Sequence, residues 1–171
     1  MVIRVARFNT FLLLLALLTA GAGCQIVGGG KQLSTVRVHI EVNPDGTGLN
    51  ELVTVHSVVM NVEKSPFLTE TDVASAEVVE TLGGFALRIQ FNQHGTWALE
   101  QYSSAAPGRR VAIFSQFGKK GEQARWLAAP RIGRRIADGV LLFTPDAARE
   151  EAGQIASGLN EFARKTQKVT R

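Results

Sequence analysis

Along this chain the spacing of apolar side chains changes several times, and each change marks an element. Phe8 to Leu18 is a leucine-rich run with no charge. Val36, Val38, Ile40 and Val42 then alternate with Arg37, His39, Glu41 and Asn43, the period of a strand with one face buried. Asn43-Pro-Asp-Gly-Thr-Gly48 is turn chemistry, with Gly46 free to take positive φ. Return strands follow through about Leu52 to Val55 and Val58 to Val62. Thr69 to Asp72, after Pro66, is placed to cap a short helical turn. Ala76 to Thr81 reads as extended, Gly83-Gly84 as a hairpin turn, and Phe85, Leu87, Ile89 and Phe91 alternate as a strand.

The period then lengthens. Asn92 is placed to cap a helix running to about Ala105, which Pro107-Gly108 ends, with Trp97, Ala98 and Tyr102 on or near its buried side. Val111, Ile113 and Ser115 alternate in another strand, and Arg125 to Ala129 and Ile136 to Phe143 make two more around a basic loop. The last helix has Thr144 as expected N-cap, Pro145 at the first helical position, and Asp146, Glu150 and Glu151 at the positive end of its dipole. Ala148, Ala152, Ile155, Leu159 and Phe162 form its apolar stripe. These elements predict an α+β fold, a mainly antiparallel sheet with two amphipathic helices on one face and extra N-terminal strands.

The first residues change the picture from a free domain to an exported one. Arg4 and Arg7 precede the apolar run, which has the length of a signal core and falls short of a bilayer span. Thr19-Ala-Gly-Ala-Gly23 supplies small side chains before Cys24, the only cysteine. This is a lipoprotein signal pattern, with Gly21 where leucine is usual, and it predicts cleavage before Cys24 and acylation of its thiol. Two or three acyl chains anchor stably, at roughly 0.8 kcal/mol per buried methylene. An ordinary signal peptide cut near Ala22, with an incidental cysteine, and a retained membrane helix are the alternatives. The expected organisation is a signal over 1–23, a tether over 24–34, N-terminal strands over 35–66 and an α+β domain over 67–171. Gly28-Gly-Gly-Lys31 within the tether is not a phosphate loop, since Gln32 stands where Ser or Thr is required and no strand precedes it.

Charge and reactive side chains narrow the function. The chain carries 19 Lys and Arg against 15 Asp and Glu. Removing Arg4 and Arg7 leaves a net +2, too little to point to nucleic acid. His39 and His56 fall on polar strand faces and His94 in the first turn of a helix; no two share a ligand spacing, and no cofactor or metal site is expected. No serine stands in a nucleophile elbow, and no catalytic residue is assigned. The basic residues concentrate in one segment: Arg109, Arg110, Lys119, Lys120, Arg125, Arg131, Arg134 and Arg135, with Glu122 as the sole acid. Of these, Arg109, Arg110, Arg131, Arg134 and Arg135 are candidates for contact with anionic lipid or an acidic partner, against the alternative of solvated hairpin ends.

Four stretches carry a family resemblance. They are Phe91-Asn-Gln-His-Gly-Thr-Trp-Ala-Leu-Glu-Gln-Tyr, Pro107-Gly-Arg-Arg-Val-Ala-Ile-Phe, Trp126-Leu-Ala-Ala-Pro and Phe143-Thr-Pro-Asp-Ala-Ala. In order and spacing they resemble the head of the first periplasmic domain of the export protein SecD. Gly95, Gly108, Arg109, Arg110, Ala112, Ile113, Ala128, Ala129, Pro130, Phe143, Thr144 and Ala148 fall on that family's positions, over roughly 68–159. The resemblance implies the fold and a polypeptide-binding habit. It does not carry over proton-coupled translocation, because the family's membrane helices and their ionisable groups have no counterpart here. The family's Gly-rich loop before the final strand is replaced by Arg131-Ile-Gly-Arg-Arg-Ile136. The expectation is a lipid-anchored, non-enzymatic module of the cell envelope that binds a protein or peptide, on the periplasmic side. Gln25 after the anchor, where an Asp would signal inner-membrane retention, favours the outer membrane. An envelope hydrolase with a site hidden from sequence and a purely structural lipoprotein are the alternatives.

Overall fold

The computed structural model describes residues 33–169. The apolar run at 8–18, Cys24 with its expected acylation, and all but the last two residues of the tether lie outside the described residues. In chain order the elements are β1 (Thr35–Ile40), β2 (Asn50–Val55), β3 (Val58–Glu63), β4 (Leu68–Thr69), β5 (Val73–Thr81), β6 (Gly84–Phe91), α1 (Gln93–Ala105), β7 (Val111–Phe117), β8 (Gln123–Ala128), β9 (Val140–Phe143) and α2 (Arg149–Val169). The strands form a four-stranded sheet in the order β4-β1-β7-β8, a three-stranded sheet β5-β6-β9 and the hairpin β2-β3, all antiparallel. The fold is the expected α+β arrangement of antiparallel strands with two helices.

One core joins both helices to the strands. Val36, Val38 and Ile40 of β1 and Ile113 of β7 meet Leu99 of α1 and Ile155 and Leu159 of α2. The opposite face of β1 was expected to be wet, and it is not. His39 is buried there because the β2-β3 hairpin folds over it, setting Val53, Val55, Met60 and Val62 beneath a second, smaller cluster with Ala112 and Trp126. Its Nδ1–H donates to the Glu63 carbonyl at 2.8 Å, and its ring stands edge-on to Trp126 at 5.4 Å. Period alone shows which residues of a strand face each other; it does not show that a later hairpin covers the second face. His56, also expected on a strand face, is instead in the β2-β3 turn, with φ 56°.

The α1 start is as read. The Asn92 side chain accepts the Gly95 N–H at 3.0 Å. Gly95, Leu99 and Ser103 stand one turn apart and are buried. Trp97, expected toward the core, is 62% exposed. At 100° per residue it lies about 200° from Gly95, on the far side of the helix.

The α2 start needs correction. Thr144 and Pro145 are not its cap and first position, because the helix begins at Arg149. The Asp146 N–H is held by the Leu127 carbonyl at 2.7 Å, and a bend at Asp146 and Ala147 precedes the helix. The cap is supplied from inside the helix, by the Glu151 carboxylate accepting the Ala148 N–H at 2.8 Å. That bond, assisted by Arg125 at 2.5 Å, holds the Glu151 carboxyl below its ordinary pKa against the opposing effect of burial. A lowered folded-state pKa contributes stability above the unfolded value and loses it as pH falls through the folded one. Glu151→Gln should therefore be less stable by about 1 kcal/mol at neutral pH. The gap should close as pH falls below the carboxylate range, as read by urea titrations at several pH values; a gap independent of pH rules out the charge as its source.

Candidate functional site

Beyond the ends of β7 and β8 the two chains stay paired. The Val111 N–H reaches the Pro130 carbonyl at 3.0 Å, the Ile132 N–H reaches Arg109 at 2.8 Å and the Gly108 N–H reaches Ile132 at 2.7 Å. Buried Ile132 seats this ribbon in the core. The chain then crosses α1, where the Ile136 N–H donates to the Ser103 hydroxyl at 2.9 Å and Arg135 pairs with Glu100. It turns into β9 at Gly139 (φ 67°), whose carbonyl accepts the Phe91 N–H at 2.9 Å. No larger residue fits there, since a Cβ on Gly139 would lie 2.1 Å from the Thr96 hydroxyl oxygen.

The loop so fixed encloses a cleft of about 550 Å³ with Val111 and with Val140, Leu141 and Leu142 of β9. β9 pairs with β6 on one side, and among the described residues no strand pairs with its other side. One wall of the cleft is thus an open strand edge, and Leu142 beside it is 53% exposed. A free edge presents a row of backbone donors and acceptors that an extended segment can complete.

The five candidate arginines gather at this end. Arg110 and Arg131 stand opposite each other in the ribbon. Arg109, Arg110 and Arg131 give guanidinium hydrogens to the Glu41, Ala129 and Gly108 carbonyls at 3.1, 2.8 and 2.6 Å. Bonds to neutral carbonyls fix a guanidinium without cancelling its charge. Glu41 accepts the Arg110 N–H, and Glu100 neutralises Arg135. Arg131 and Arg134 are exposed and have no carboxylate partner among the described residues, so the mouth of the cleft keeps positive charge. Lys119, Lys120 and Arg125 do not join them. Lys119 and Lys120 follow the far end of β7, about 20 Å away at the rise of a seven-residue strand, and Arg125 stands on β8 opposite Ser115, about 13 Å along it. Arg125 is moreover occupied by Glu151 and by the Phe117 ring at 5.3 Å.

The histidines lie elsewhere. His94 Nδ1 is 2.7 Å from Asp72, and His56 Nε2 is 3.6 Å from Asp146. A carboxylate-oriented imidazole can serve as a general base, but no hydroxyl is bonded to His94 among the described residues. The nearby Thr69 and Thr71 hydroxyls bond each other at 2.7 Å. No three His, Cys, Asp or Glu side chains gather among the described residues, and no described helix is long and apolar enough to cross a membrane. Sequence reading identified the arginines and missed what positions them: Ser103, Glu100 and Gln90, whose amide holds the Asp138 carbonyl at 3.1 Å. The strand expected from Ile136 begins only at Val140, and Gly139 with its positive φ was the one local sign that the stretch before it is a loop.

No protein-family model matches this chain, and no curated protein is significantly similar to it. Solved structures of SecDF are among those similar to it, two of them at TM-scores above 0.5. One is of SecDF, a membrane component that enhances protein export, with TM-score 0.55 and 20% identity over 76% of this chain and 63% of that one. The other is SecDF in its super-membrane-facing form, with TM-score 0.54 and 20% identity over 76% of this chain and 19% of that one. This chain thus spans less than two thirds of either. The described domain has the SecD head-like fold that the four sequence stretches resemble.

Proposed function

We propose that this protein is a lipid-anchored, non-enzymatic module of the bacterial envelope that holds an extended polypeptide segment in the cleft beside β9. The observation that carries the reading is the open β9 edge inside a cleft whose rim keeps uncompensated arginine charge. Backbone pairing at such an edge accepts many sequences, and the rim favours acidic ones. The SecDF fold supports a role connected with protein export, outside the cytoplasm. The small residues before Cys24 support the anchor, and Gln25 the outer membrane. Arg109, Arg110 and, through Glu100, Arg135 brace the loop, while Arg131 and Arg134 meet the partner.

The full chain should bind a fluorescent, unfolded acidic polypeptide, with anisotropy as the readout. Arg131→Glu with Arg134→Glu should weaken that binding roughly tenfold, by about 1.4 kcal/mol, and should matter less at high salt. Equal affinity in the variant, or equal binding of a basic polypeptide, would overturn the assignment of the cleft.

A further inference from the structure

The end of the domain opposite the cleft carries a second set of cations, around the point where the chain enters the fold. Ser34, the last residue of the expected tether, is buried against α2: its hydroxyl donates to the Gln154 carbonyl at 3.4 Å, beside Gly158. Thr35 follows in β1, opposite Gln116 near the end of β7. The turn after β7 is therefore at this end too, with Lys119 and Lys120 both exposed. On α2, Arg164, Lys165 and Lys168 line one surface groove beyond Gly158. Lys168 is about 15 Å along the helix from that glycine.

Glu70 and Asp72, in the turn after β4, belong to an element packed against α2, but among the described residues Arg164, Lys168, Lys119 and Lys120 are in no ion pair. Lys165 pairs with Glu161 at 3.2 Å, and Arg164 gives its Nε–H to the Asn160 carbonyl, which leaves its charge intact. Glu122 is the one carboxylate in the turn with Lys119 and Lys120. The cleft and Arg131 lie toward the other end of β1, about 20 Å away over six residues.

We infer that this entry end docks on anionic lipid head groups, with Lys119 and Lys120 on one side of Ser34 and Arg164, Lys165 and Lys168 on the other. The inference rests on the anchor at Cys24. The ten residue steps from Cys24 to Ser34 span at most about 33–36 Å when fully extended. Even this limit is no more than about the diameter of a domain this size, roughly 35–40 Å. The anchor therefore keeps the entry end nearest the bilayer, and each cation there is attracted to an anionic surface within a Debye length of about 8 Å at physiological salt. The cleft consequently faces away from the membrane, open to a polypeptide.

The test reconstitutes the full chain on vesicles of phosphatidylcholine, alone or mixed with phosphatidylglycerol, containing a head-group quencher. A fluorophore is attached through Gln167→Cys or, at the cleft loop, through Gly133→Cys, where a side chain meets open space. With phosphatidylglycerol and low salt, quenching of the Gln167 label should exceed that of the Gly133 label about fivefold. It should fall to the phosphatidylcholine level at high salt, and in Lys119→Glu with Lys120→Glu and Lys168→Glu. Equal quenching on both vesicle types, or no effect of the charge reversals, overturns the docking surface. The anchor is judged separately, by intact mass and by flotation with phosphatidylcholine vesicles. If it fails, flotation that needs phosphatidylglycerol and low salt still supports the surface, and its absence overturns it.

Discussion

Replacing Asn160 with leucine is expected to destabilise the domain by about 3 kcal/mol, because it strips two buried backbone groups of their partner. Asn160 projects from α2 toward β5, the edge strand of the three-stranded sheet. Its amide donates to the Ala76 carbonyl at 2.7 Å and its carbonyl oxygen accepts the Ala76 N–H at 2.8 Å. One side chain thus does for Ala76 what a neighbouring strand would do. β5 lacks such a neighbour and shifts register against β6 between Val73 and Ser75. Ala76 is only 4% exposed, so water does not readily substitute. Asn160→Asp keeps an acceptor and loses the donor, and about 2 kcal/mol is expected from the Ala76 carbonyl left facing a carboxylate. Both values are read from urea unfolding of the full chain. If leucine is tolerated within about 0.5 kcal/mol, the amide bridge is not holding β5 to α2.

Two glycines on the same helix should respond to alanine with opposite signs. Helical glycine is ordinarily worse than alanine by about 0.5–1 kcal/mol. At Gly153 a Cβ meets nothing within 4 Å, so Gly153→Ala should gain that amount. At Gly158 the same Cβ would lie 2.6 Å from the backbone nitrogen of Ser34 and 2.3 Å from its hydroxyl oxygen. The start of β1 must then move off α2, and a loss of about 2–3 kcal/mol is expected despite the better helix propensity. Thermal unfolding of the two variants side by side decides the matter. A stabilised Gly158→Ala means that β1 and α2 are not in close contact at Ser34.

The strands and helix ends that were legible share one property: their causes are within a few residues. The inward face of Val36, Val38 and Ile40, the alternation from Phe85 to Phe91, the Asn92 cap and the Gly46 turn came through, because pleat, helical period and capping are set by neighbours in sequence; the strand itself ends at Ile40, short of Val42. Where reading failed, a distant segment had intervened. His39 is buried by a hairpin that begins eleven residues later, at Asn50. Trp97 has the same apolar character as its neighbours and lost the inner face to Gly95 and Leu99, which alone fit against the Asp72 turn and the core. Thr144-Pro145 has every local mark of a helix start, and the Leu127 carbonyl overrode it.

The candidate site divides in the same way. Its cations could be counted in the sequence, and the stretches around them already resembled the SecD head. Sequence could not sort eight basic residues into two opposite ends, since that depends on the path of β7 and β8. Nor could it reveal that a loop pinned by Ser103, Glu100 and Phe91 stands beside an edge that no described strand completes. By itself the sequence determined the elements, the charge and the expected anchor, because these follow from local spacing and residue chemistry. Only the tertiary structure decided which faces are dry, where the open edge lies and which cations share a surface, because those depend on backbone pairing between segments far apart in the chain.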